Sequence, residues 1–366
     1  MKRLIALLLA VFLALGALSG CAGKPDAAQT DAPAPSELPT AHVQPVPTKK
    51  PAETPAPGES DAPAPTDTPA PVPPPVDLGD KVPMMWKVTD PDGHLLYLFG
   101  TIHVGDERNA AVLERVSPVL ESCDALAVEF DIVAYQSDVQ ASMDDMMQYV
   151  LTDGSVVSDY MPEELYQRAY DLLQQAGLFP SMFKSYNLAM WYQLVDSAMI
   201  LVYSTLDPNC GMDNLLINRA YEMELPVLDV ESASFQMSLL NGFDNELYLI
   251  LIRETLDSAE TFNDQLVEMY ELWLSGERDA FWAMIAGEEA DEEDVGEYSE
   301  EQIEMILDFN RKLADDRNLG MRDRALEFLA SGQTVFFAVG AAHMANEAGL
   351  VQLLTDAGCT VEPFVY

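Results

Sequence analysis

The sequence has 366 residues, 61 acidic and 19 basic, so its formal net charge at pH 7 is -42. A nucleic-acid-binding protein needs a basic face for the phosphate backbone, so this charge balance argues against nucleic-acid binding. The hydrophobic share of 49% is ordinary for a globular protein, and a chain of this length can therefore build a sizeable core.

The first 21 residues have the order of parts found in a secretion signal. Basic residues at the start precede an apolar run at 4–18, which is too short to span a bilayer comfortably. Ser19 and Gly20 then stand directly before Cys21, an arrangement that resembles the lipobox of bacterial lipoproteins. The resemblance implies cleavage before Cys21 and a lipid on its thiol, which would anchor the chain to the extracytoplasmic face of the bacterial cell membrane. The alternative is an ordinary secretory signal with an incidental cysteine.

Residues 22–83 contain 17 of the 24 prolines, mixed with Ala, Thr, Asp and Glu in low-complexity order. Such a segment has too little apolar surface to offset the entropy lost on ordering, and its prolines favour extended polyproline II conformations. We therefore predict a disordered tether between the anchor and one globular domain, residues 84–366.

The domain is predicted to be α/β, with strands near both ends and a mostly helical middle. Short apolar segments bounded by turn residues predict strands, and apolar residues three and four positions apart predict helices. The predicted strands are Met85–Val88, Leu95–Phe99, Ala125–Phe130, Val227–Val230, Val335–Val339 and Thr360–Phe364. The predicted helices include Asn109–Ser122, Leu165–Leu173, Leu188–Val202, Leu215–Met223, Leu247–Leu256, Leu266–Leu274, Arg322–Leu329 and Ala345–Ala357.

Two segments share one plan: an apolar strand, the motif Gly-x-x-His, a helix and a further strand. The first motif is Gly100–His103 and the second is Gly340–His343. We predict two βαβ units that share one sheet, with both motifs at the carboxyl ends of parallel strands, where open α/β sheets bind ligands. Glycine would let the backbone turn sharply there, so that each histidine points into a ligand-binding crevice at this edge of the sheet.

The motif histidines are the main candidates for chemistry. Of the four histidines, His42 lies in the tether and His94 in a predicted turn, which leaves His103 and His343. Glu129 ends an apolar strand, where burial of a carboxylate is unfavourable unless the group is paired or has a function. Two histidines and a carboxylate can hold a divalent metal ion that activates water. They can also act without a metal, with histidine as general base and the carboxylate as its orienting partner.

The ordered motifs of residues 84–366 resemble the TraB/GumN family, also called TraB/PrgY/GumN. Its hallmark is two Gly-x-x-His motifs at opposite ends of the domain and a glutamate after the first. The matching pieces are Gly100–His103, Glu129, Cys210–Asp213, Leu228–Glu231 with Gln236, Arg317–Asn318 with Met321, and Gly340–His343. The sequence departs from the family pattern at Asp229, where glutamate or leucine is commoner. Glu231 stands at the position that the pattern expects.

The resemblance implies a hydrolase, because the animal Tiki relatives are described as metal-dependent proteases. By this resemblance His103, His343 and Glu129 would bind a divalent metal ion such as Mn, Co or Zn, with Glu129 as ligand or general base. Glu231 would be a second carboxylate at the crevice, and Arg317 would face the substrate or the developing oxyanion. We therefore predict a lipid-anchored, metal-dependent hydrolase that acts on a peptide or another small molecule.

Two other functions stay open. The crevice can bind and sequester a peptide without turnover, or it can hydrolyse esters without a metal, as in the more distantly related erythromycin esterases. Chelator-sensitive turnover would indicate the metal-dependent hydrolase, chelator-resistant turnover the esterase, and affinity without product the binding protein.

Three candidate residues also have purely structural explanations. Glu231 can cap the helix that begins near Ser232. Arg317 can form a surface ion pair with a neighbouring aspartate. For Asp213 we expect the structural role, that of an acidic residue in the first turn of a helix, where the helix dipole favours it.

The remaining cysteines and one acidic run are expected to be structural. Cys123 and Cys359 each begin the last strand of a predicted βαβ unit, so a disulfide between them is conceivable, but we favour buried thiols. The acidic run Glu288–Glu301 has a glycine spacing like that of a calcium loop, but Val295 stands where an oxygen ligand is needed and Gln302 where a closing glutamate is needed. We predict a solvated loop there.

Overall fold

The computed structural model describes residue 76 and residues 78–286 and 298–366. The predicted signal segment with Cys21, the tether up to residue 75 and most of the acidic run Glu288–Glu301 lie outside the described residues. In the described part of the chain, no helix is both long enough and apolar enough to cross a membrane.

The strands of the described residues form one mixed sheet. They are β1 (Met85–Thr89), β2 (Leu95–Thr101), β3 (Ala125–Val128), β4 (Val227–Asp229), β5 (Val335–Gly340) and β6 (Thr360–Pro363). Their order across the sheet is β4-β3-β5-β2-β1-β6. Strands β4, β3, β5 and β2 run parallel to one another, whereas β1 runs antiparallel to both β2 and β6. The predicted α/β fold class is confirmed.

Strand β5, from the carboxyl-terminal part of the chain, lies between β2 and β3 from the amino-terminal part. Ala338 pairs with Phe99 on one side and with Val128 on the other. Every residue of β3 and of β5 is buried, which is typical of parallel strands covered on both faces. Because Thr101 is paired with Gly340, the two Gly-x-x-His segments leave neighbouring strands at the same edge.

The helices cover the sheet and fill the middle of the chain, as predicted. They are α1 (Arg108–Glu121), α2 (Ile132–Ser137), α3 (Val139–Met147), α4 (Glu163–Gln175), α5 (Leu188–Tyr203), α6 (Met212–Glu222), α7 (Ala233–Leu240), α8 (Asn245–Asp257), α9 (Phe262–Ser275), α10 (Arg278–Ala286), α11 (Glu300–Leu313), α12 (Asp315–Ser331) and α13 (Leu350–Asp356).

Helix α5 is the buried centre of the helical middle. All of its residues from Leu188 to Ile200 are buried, and it packs against α4 and α8. The side chain of Asn187 accepts a hydrogen bond from the backbone N–H of Met190 and so caps the helix start. A helix that is apolar on nearly all sides must be enclosed by other helices, which explains its place in the core.

The segment after β5 differs from the prediction. The sequence predicts a helix over Ala345–Ala357, but α13 begins only at Leu350. A single 3-10 turn, Ala341–Met344, follows β5 directly, and Asn346 then adopts a left-handed conformation with φ of 57°. A left-handed residue cannot continue an α-helix, so the helix starts late.

Helix α12 begins earlier than predicted, at Asp315 instead of Arg322. Asp315 and Asp316 lie in its first turn, where the helix dipole favours acidic side chains. The longer helix places Arg317 and Asn318 at its amino end.

Cys123 and Cys359 are buried free thiols. They precede β3 and β6, which are separated by β5, β2 and β1 in the sheet. With neighbouring strands about 4.8 Å apart, the two cysteines lie on the order of 19 Å from each other. A disulfide needs Cα atoms within about 7 Å, so the conceivable bridge is excluded.

Candidate functional site

His103 lies on the loop that follows β2. Its Nδ1 is 2.7 Å from Oδ2 of Asp213, a residue in the first turn of α6. Thr101 donates its hydroxyl hydrogen to Oδ1 of the same carboxylate at 2.6 Å. A carboxylate can only accept, so Nδ1 of His103 donates and Nε2 is left for other contacts. A Cβ atom built on Gly340 would lie 4.0 Å from this Nε2.

His343 is buried in the 3-10 turn that follows β5. Its Nδ1 is 2.7 Å from Oδ1 of Asn318, in the first turn of α12. Its Nε2 faces Glu129, whose Oε1 is 3.7 Å away. Each motif histidine therefore has its Nδ1 engaged by a residue from a helix and its Nε2 turned towards the other strand ends.

Glu129 follows β3 directly and lies between the histidines. Its Oε1 accepts the backbone N–H of Gly340 at 3.0 Å. Its Oε2 accepts hydrogen bonds from Gln236 Nε2 at 3.0 Å and from Arg317 Nη2 at 2.5 Å. The carboxylate is thus fixed from three sides, which offsets the cost of burying its charge.

Arg317 joins the two carboxylates that follow β3 and β4. Its Nε is 3.1 Å from both carboxylate oxygens of Glu231, and its Nη2 is 2.7 Å from Oε2 of Glu231. The same Nη2 donates to Glu129, and Nη1 donates to the Leu313 carbonyl at 3.2 Å. Gln236 adds a bond of 2.8 Å to Glu231. The result is a buried cation between two carboxylates.

The structural alternatives for Arg317 and Glu231 are wrong. The neighbouring Asp316 pairs with Arg311 at the surface. Ser232 is the residue that caps α7, because its hydroxyl accepts the backbone N–H of Phe235. Glu231 stands just before this cap, with its carboxylate on Arg317.

Glycine is needed in both motifs because they pack closely together. Neither Gly100 nor Gly340 has a positive φ, so the predicted sharp turn is not the reason for glycine. A Cβ on Gly100 would lie 3.0 Å from the Cα of Ala341, and one on Gly340 would lie 3.3 Å from Oε1 of Glu129. A side chain at either position would push apart groups that now touch.

The two imidazoles differ in charge because their partners differ. Burial disfavours the charged form of His103, but the charge and hydrogen bond of Asp213, helped by Glu129, raise its pKa to about 9. Burial and the nearby Arg317 lower the pKa of His343 to about 3, against an opposing attraction from Glu129. At neutral pH the site therefore contains one cationic and one neutral histidine.

The buried ion pair keeps its charges. Burial by itself would raise the pKa of Glu129, but Arg317, followed by His343 and His103, holds it below its usual range. Burial would lower the pKa of Arg317, but the two carboxylates outweigh it and raise that pKa.

The structure brings all the candidate residues of the sequence together. His103, Glu129, Glu231, Arg317 and His343 meet at the carboxyl ends of β2, β3, β4 and β5.

Sequence reasoning missed the contacts that hold the histidines. Asp213 lies in the first turn of α6, as expected, but its carboxylate also binds His103. No role was predicted for Asn318, the partner of His343. The sequence did contain one indication of these contacts, because Asp213 and Asn318 both lie in short motifs that match the family.

A groove of about 270 Å³ is lined by residues that are near Glu129 and Glu231 in the chain, although none of the five site residues is part of its lining. Its lining includes Phe130 and Asp131, directly after Glu129 in the chain, and Asp229 and Ser232, on either side of Glu231. Asp138 and Asp145 are also part of the lining, so the groove is acidic.

No preassembled metal site is present in the described residues: no three His, Cys, Asp or Glu side chains come together in the arrangement that a metal ion requires. The nearest approach to one is around Gly340: a Cβ atom built there would lie 3.3 Å from Oε1 of Glu129 and 4.0 Å from Nε2 of His103, and the same Oε1 is 3.7 Å from Nε2 of His343.

The fold and the site define an α/β domain whose two Gly-x-x-His motifs meet a shared glutamate at the edge of one sheet. The sequence model of the TraB/PrgY/gumN family matches residues 84–363, so the chain belongs to the TraB/PrgY/gumN family. The chain is also similar to the uncharacterized protein YbaP of Escherichia coli (strain K12), with 26% identity over 274 residues, which cover 73% of this chain and 90% of that protein. The YbaP protein of Shigella flexneri matches with the same identity and coverage. No solved structure matches the chain significantly.

Proposed function

We propose that this protein is a hydrolase that cleaves peptides with a water molecule activated at the paired Gly-x-x-His motifs. The observation that carries the proposal is the convergence of His103, His343 and Glu129 at the carboxyl edge of parallel strands. Open α/β sheets bind their ligands at this edge. The acidic groove suits the ammonium group of a peptide amino terminus.

Water is the nucleophile that this centre would use. Among the described residues, no hydroxyl or thiol group hydrogen-bonds to Nε2 of either motif histidine, so no side chain is placed for activation by these bases. Burial and the nearby Asp207 and Asp106 raise the pKa of Cys210, which keeps that thiol protonated.

A divalent metal ion such as Mn, Co or Zn fits the chemistry of the donor set. His103, His343 and Glu129 would hold it, while Asp213 and Asn318 already make the outer contacts typical of metal-binding histidines. Two ligands at about 2.1 Å from one tetrahedral ion lie about 3.4 Å apart, close to the 3.7 Å between His343 and Glu129. The ion would lower the pKa of a bound water molecule and would stabilise the negative charge that develops during hydrolysis.

Hydrolysis without a metal is the second candidate, and the Arg317 contacts favour it. Arg317 already neutralises Glu129, so the carboxylate has less need of a metal ion. Neutral His343 would accept a proton from the attacking water, and cationic His103 would donate one to the leaving group. Arg317 would then keep Glu129 in place beside both rings.

The location we propose is the extracytoplasmic face of the bacterial cell membrane, with a lipid on Cys21 as the anchor and residues 22–83 as the tether. The chain as a whole has a formal net charge of -42, so anionic lipid would repel it, which suits a domain held away from the membrane on a tether. Replacing Cys21 with serine should move the protein from the membrane fraction to the soluble fraction.

The test combines metal analysis with a cleavage screen. The full chain, the His103→Ala/His343→Ala variant and the control His94→Ala would be dialysed against Mn, Co and Zn, and their metal content measured by elemental mass spectrometry. His94 is a fair control because its ring pairs with the nearby Asp90, and no other ion pair of His94 is found in the described residues. A peptide library would then be incubated with each protein, with and without chelator.

Metal near one per chain, lost only in the double variant, together with chelator-sensitive cleavage, would support the metal-dependent hydrolase. Cleavage that resists chelator would support the metal-free mechanism. Peptide binding without any product would contradict hydrolysis and indicate a sequestering protein.

A further inference from the structure

Asn318 connects the backbone of the second motif to the ring of His343. Its Nδ2 is 2.9 Å from the carbonyl oxygen of Ala348, and its Oδ1 is 2.7 Å from Nδ1 of His343. Only 2% of Asn318 is exposed, so these contacts are shielded from bulk water. The peptide group of this carbonyl is itself held in place, because its N–H, that of Gly349, donates to the carbonyl oxygen of Asn346 at 3.3 Å.

These contacts determine which nitrogen of His343 carries its hydrogen. A carbonyl oxygen can only accept, so the amide nitrogen of Asn318 must face Ala348. The amide oxygen then faces Nδ1 of His343 and accepts its hydrogen. The other ring nitrogen, Nε2, is left with a lone pair that faces Glu129 at 3.7 Å.

We propose that Asn318 is a positioning residue of the centre, which holds His343 in the Nδ1–H tautomer and so presents the lone pair of Nε2 to the reaction. A ring with its hydrogen on Nε2 would offer neither a base for water nor a ligand for a metal. The consequence for catalysis rests on the proposed function, whereas the tautomer does not.

Asp213 makes the corresponding contact to His103, but with a carboxylate in place of an amide. Both rings are therefore held through Nδ1. The partner of His343 is neutral, so the contact orients the ring without adding a charge next to Glu129. This is a reason for asparagine rather than aspartate at position 318.

The experiment is nuclear magnetic resonance of the full chain labelled with ¹⁵N-histidine, in chelator-treated buffer. With only four histidines in the chain, long-range ¹H–¹⁵N correlations can assign the tautomer of each ring, and His343→Ala identifies the signal of His343. We expect Nδ1–H with a bare Nε2 in the wild type. We expect the same form in the control Asn187→Leu, which removes an asparagine bonded to Asn241 and not to a histidine.

Asn318→Leu, of similar size but without an acceptor, should lose the pure Nδ1–H form. Where a peptide substrate has been found, it should also lower kcat about 10- to 100-fold, the usual cost of removing such an outer contact. A hydrogen on Nε2 in the wild type would overturn the inference, and so would an unchanged tautomer in folded Asn318→Leu. The wild-type spectrum decides even if the variant fails to fold, and absence of hydrolysis would contradict only the proposed function.

Discussion

Glu129 and Arg317 are 188 residues apart in the sequence, and a hydrogen bond of 2.5 Å joins them. The guanidinium of Arg317 also binds Glu231, so one buried cation is shared by two buried carboxylates that follow different strands. The charged groups of this site come from distant segments of the chain, so the site is stable only when all of them are brought together.

Removing the cation should therefore destabilise the fold strongly. Arg317→Met would leave Glu129 and Glu231 buried without their guanidinium partner, and we expect a loss of about 3–5 kcal/mol in the free energy of unfolding at pH 7. The control Arg311→Met removes an exposed arginine paired with Asp308 and Asp316, and should cost no more than about 1 kcal/mol. Urea denaturation measures both, and equal losses would contradict a stabilising role of the buried Arg317.

The buried Asp196 in helix α5 should favour the folded state less at neutral pH than at acidic pH. Burial raises its pKa to about 8, and no described residue donates a hydrogen bond to its carboxylate. Because the folded-state pKa lies above the unfolded value of about 4, the contribution of Asp196 to the free energy of unfolding is most favourable below pH 4 and falls as the pH rises to about 8.

Asp196→Asn should remove this fall, which amounts to at most about 1.4 kcal/mol per pH unit. The variant and the wild type should differ little near pH 4, and the variant should be the more stable protein at pH 8. The exposed Asp171→Asn on α4 serves as the control. Parallel stability–pH curves for wild type and Asp196→Asn would show that Asp196 is not the cause.

The pair of Asp213 and His103 should stabilise the protein over a defined range of pH. The folded-state pKa of His103 is raised to about 9, above the usual value of about 6.5, so the stabilisation is complete below pH 6.5 and is lost as the pH rises through 9. Asp213→Asn should abolish this pH dependence of the free energy of unfolding, which amounts to about 3 kcal/mol at most.

The control for this pair is Asp264→Asn, which replaces another acidic residue in the first turn of a helix. It tests the structural role alone, since Asp264 has no histidine partner among the described residues. If both variants changed the stability–pH curve equally, the helix dipole and not His103 would account for Asp213.

Two Gly→Ala substitutions should have opposite effects. A Cβ on Gly211 would lie 2.5 Å from the carbonyl oxygen of His103, so the backbone of the first motif would have to shift. We expect Gly211→Ala to lose roughly 1–3 kcal/mol of stability. Gly320 lies exposed in α12 with no atom within 4 Å of its Cβ position, so Gly320→Ala should gain up to about 1 kcal/mol. Thermal unfolding of both variants tests this contrast.

Strand and helix positions were largely predictable because burial leaves a periodic signal in the sequence. The fully buried β3 and β5 read as unbroken apolar segments, and α5 reads as a long apolar helix. The late start of α13 was not predictable from this signal, because it depends on one left-handed residue, Asn346.

The grouping of the site residues was predictable for a different reason. A repeated strand and Gly-x-x-His plan places His103 and His343 at one edge whenever their strands run parallel. The partners of the histidines were not predictable, because Asp213 and Asn318 reach them from helices whose docking the sequence pattern does not encode.

The insertion of β5 between β2 and β3 has a consequence for when the centre can form. A chain that has been made only as far as α12 has a gap in the middle of its sheet and lacks His343, the Gly340 N–H that holds Glu129, and the backbone that orients Asn318. Pairing of such distant segments is a slow, late step in folding. The site therefore cannot form until β5 and the turn after it have been made, and insertion of β5 closes the gap in the sheet and supplies His343 in the same step.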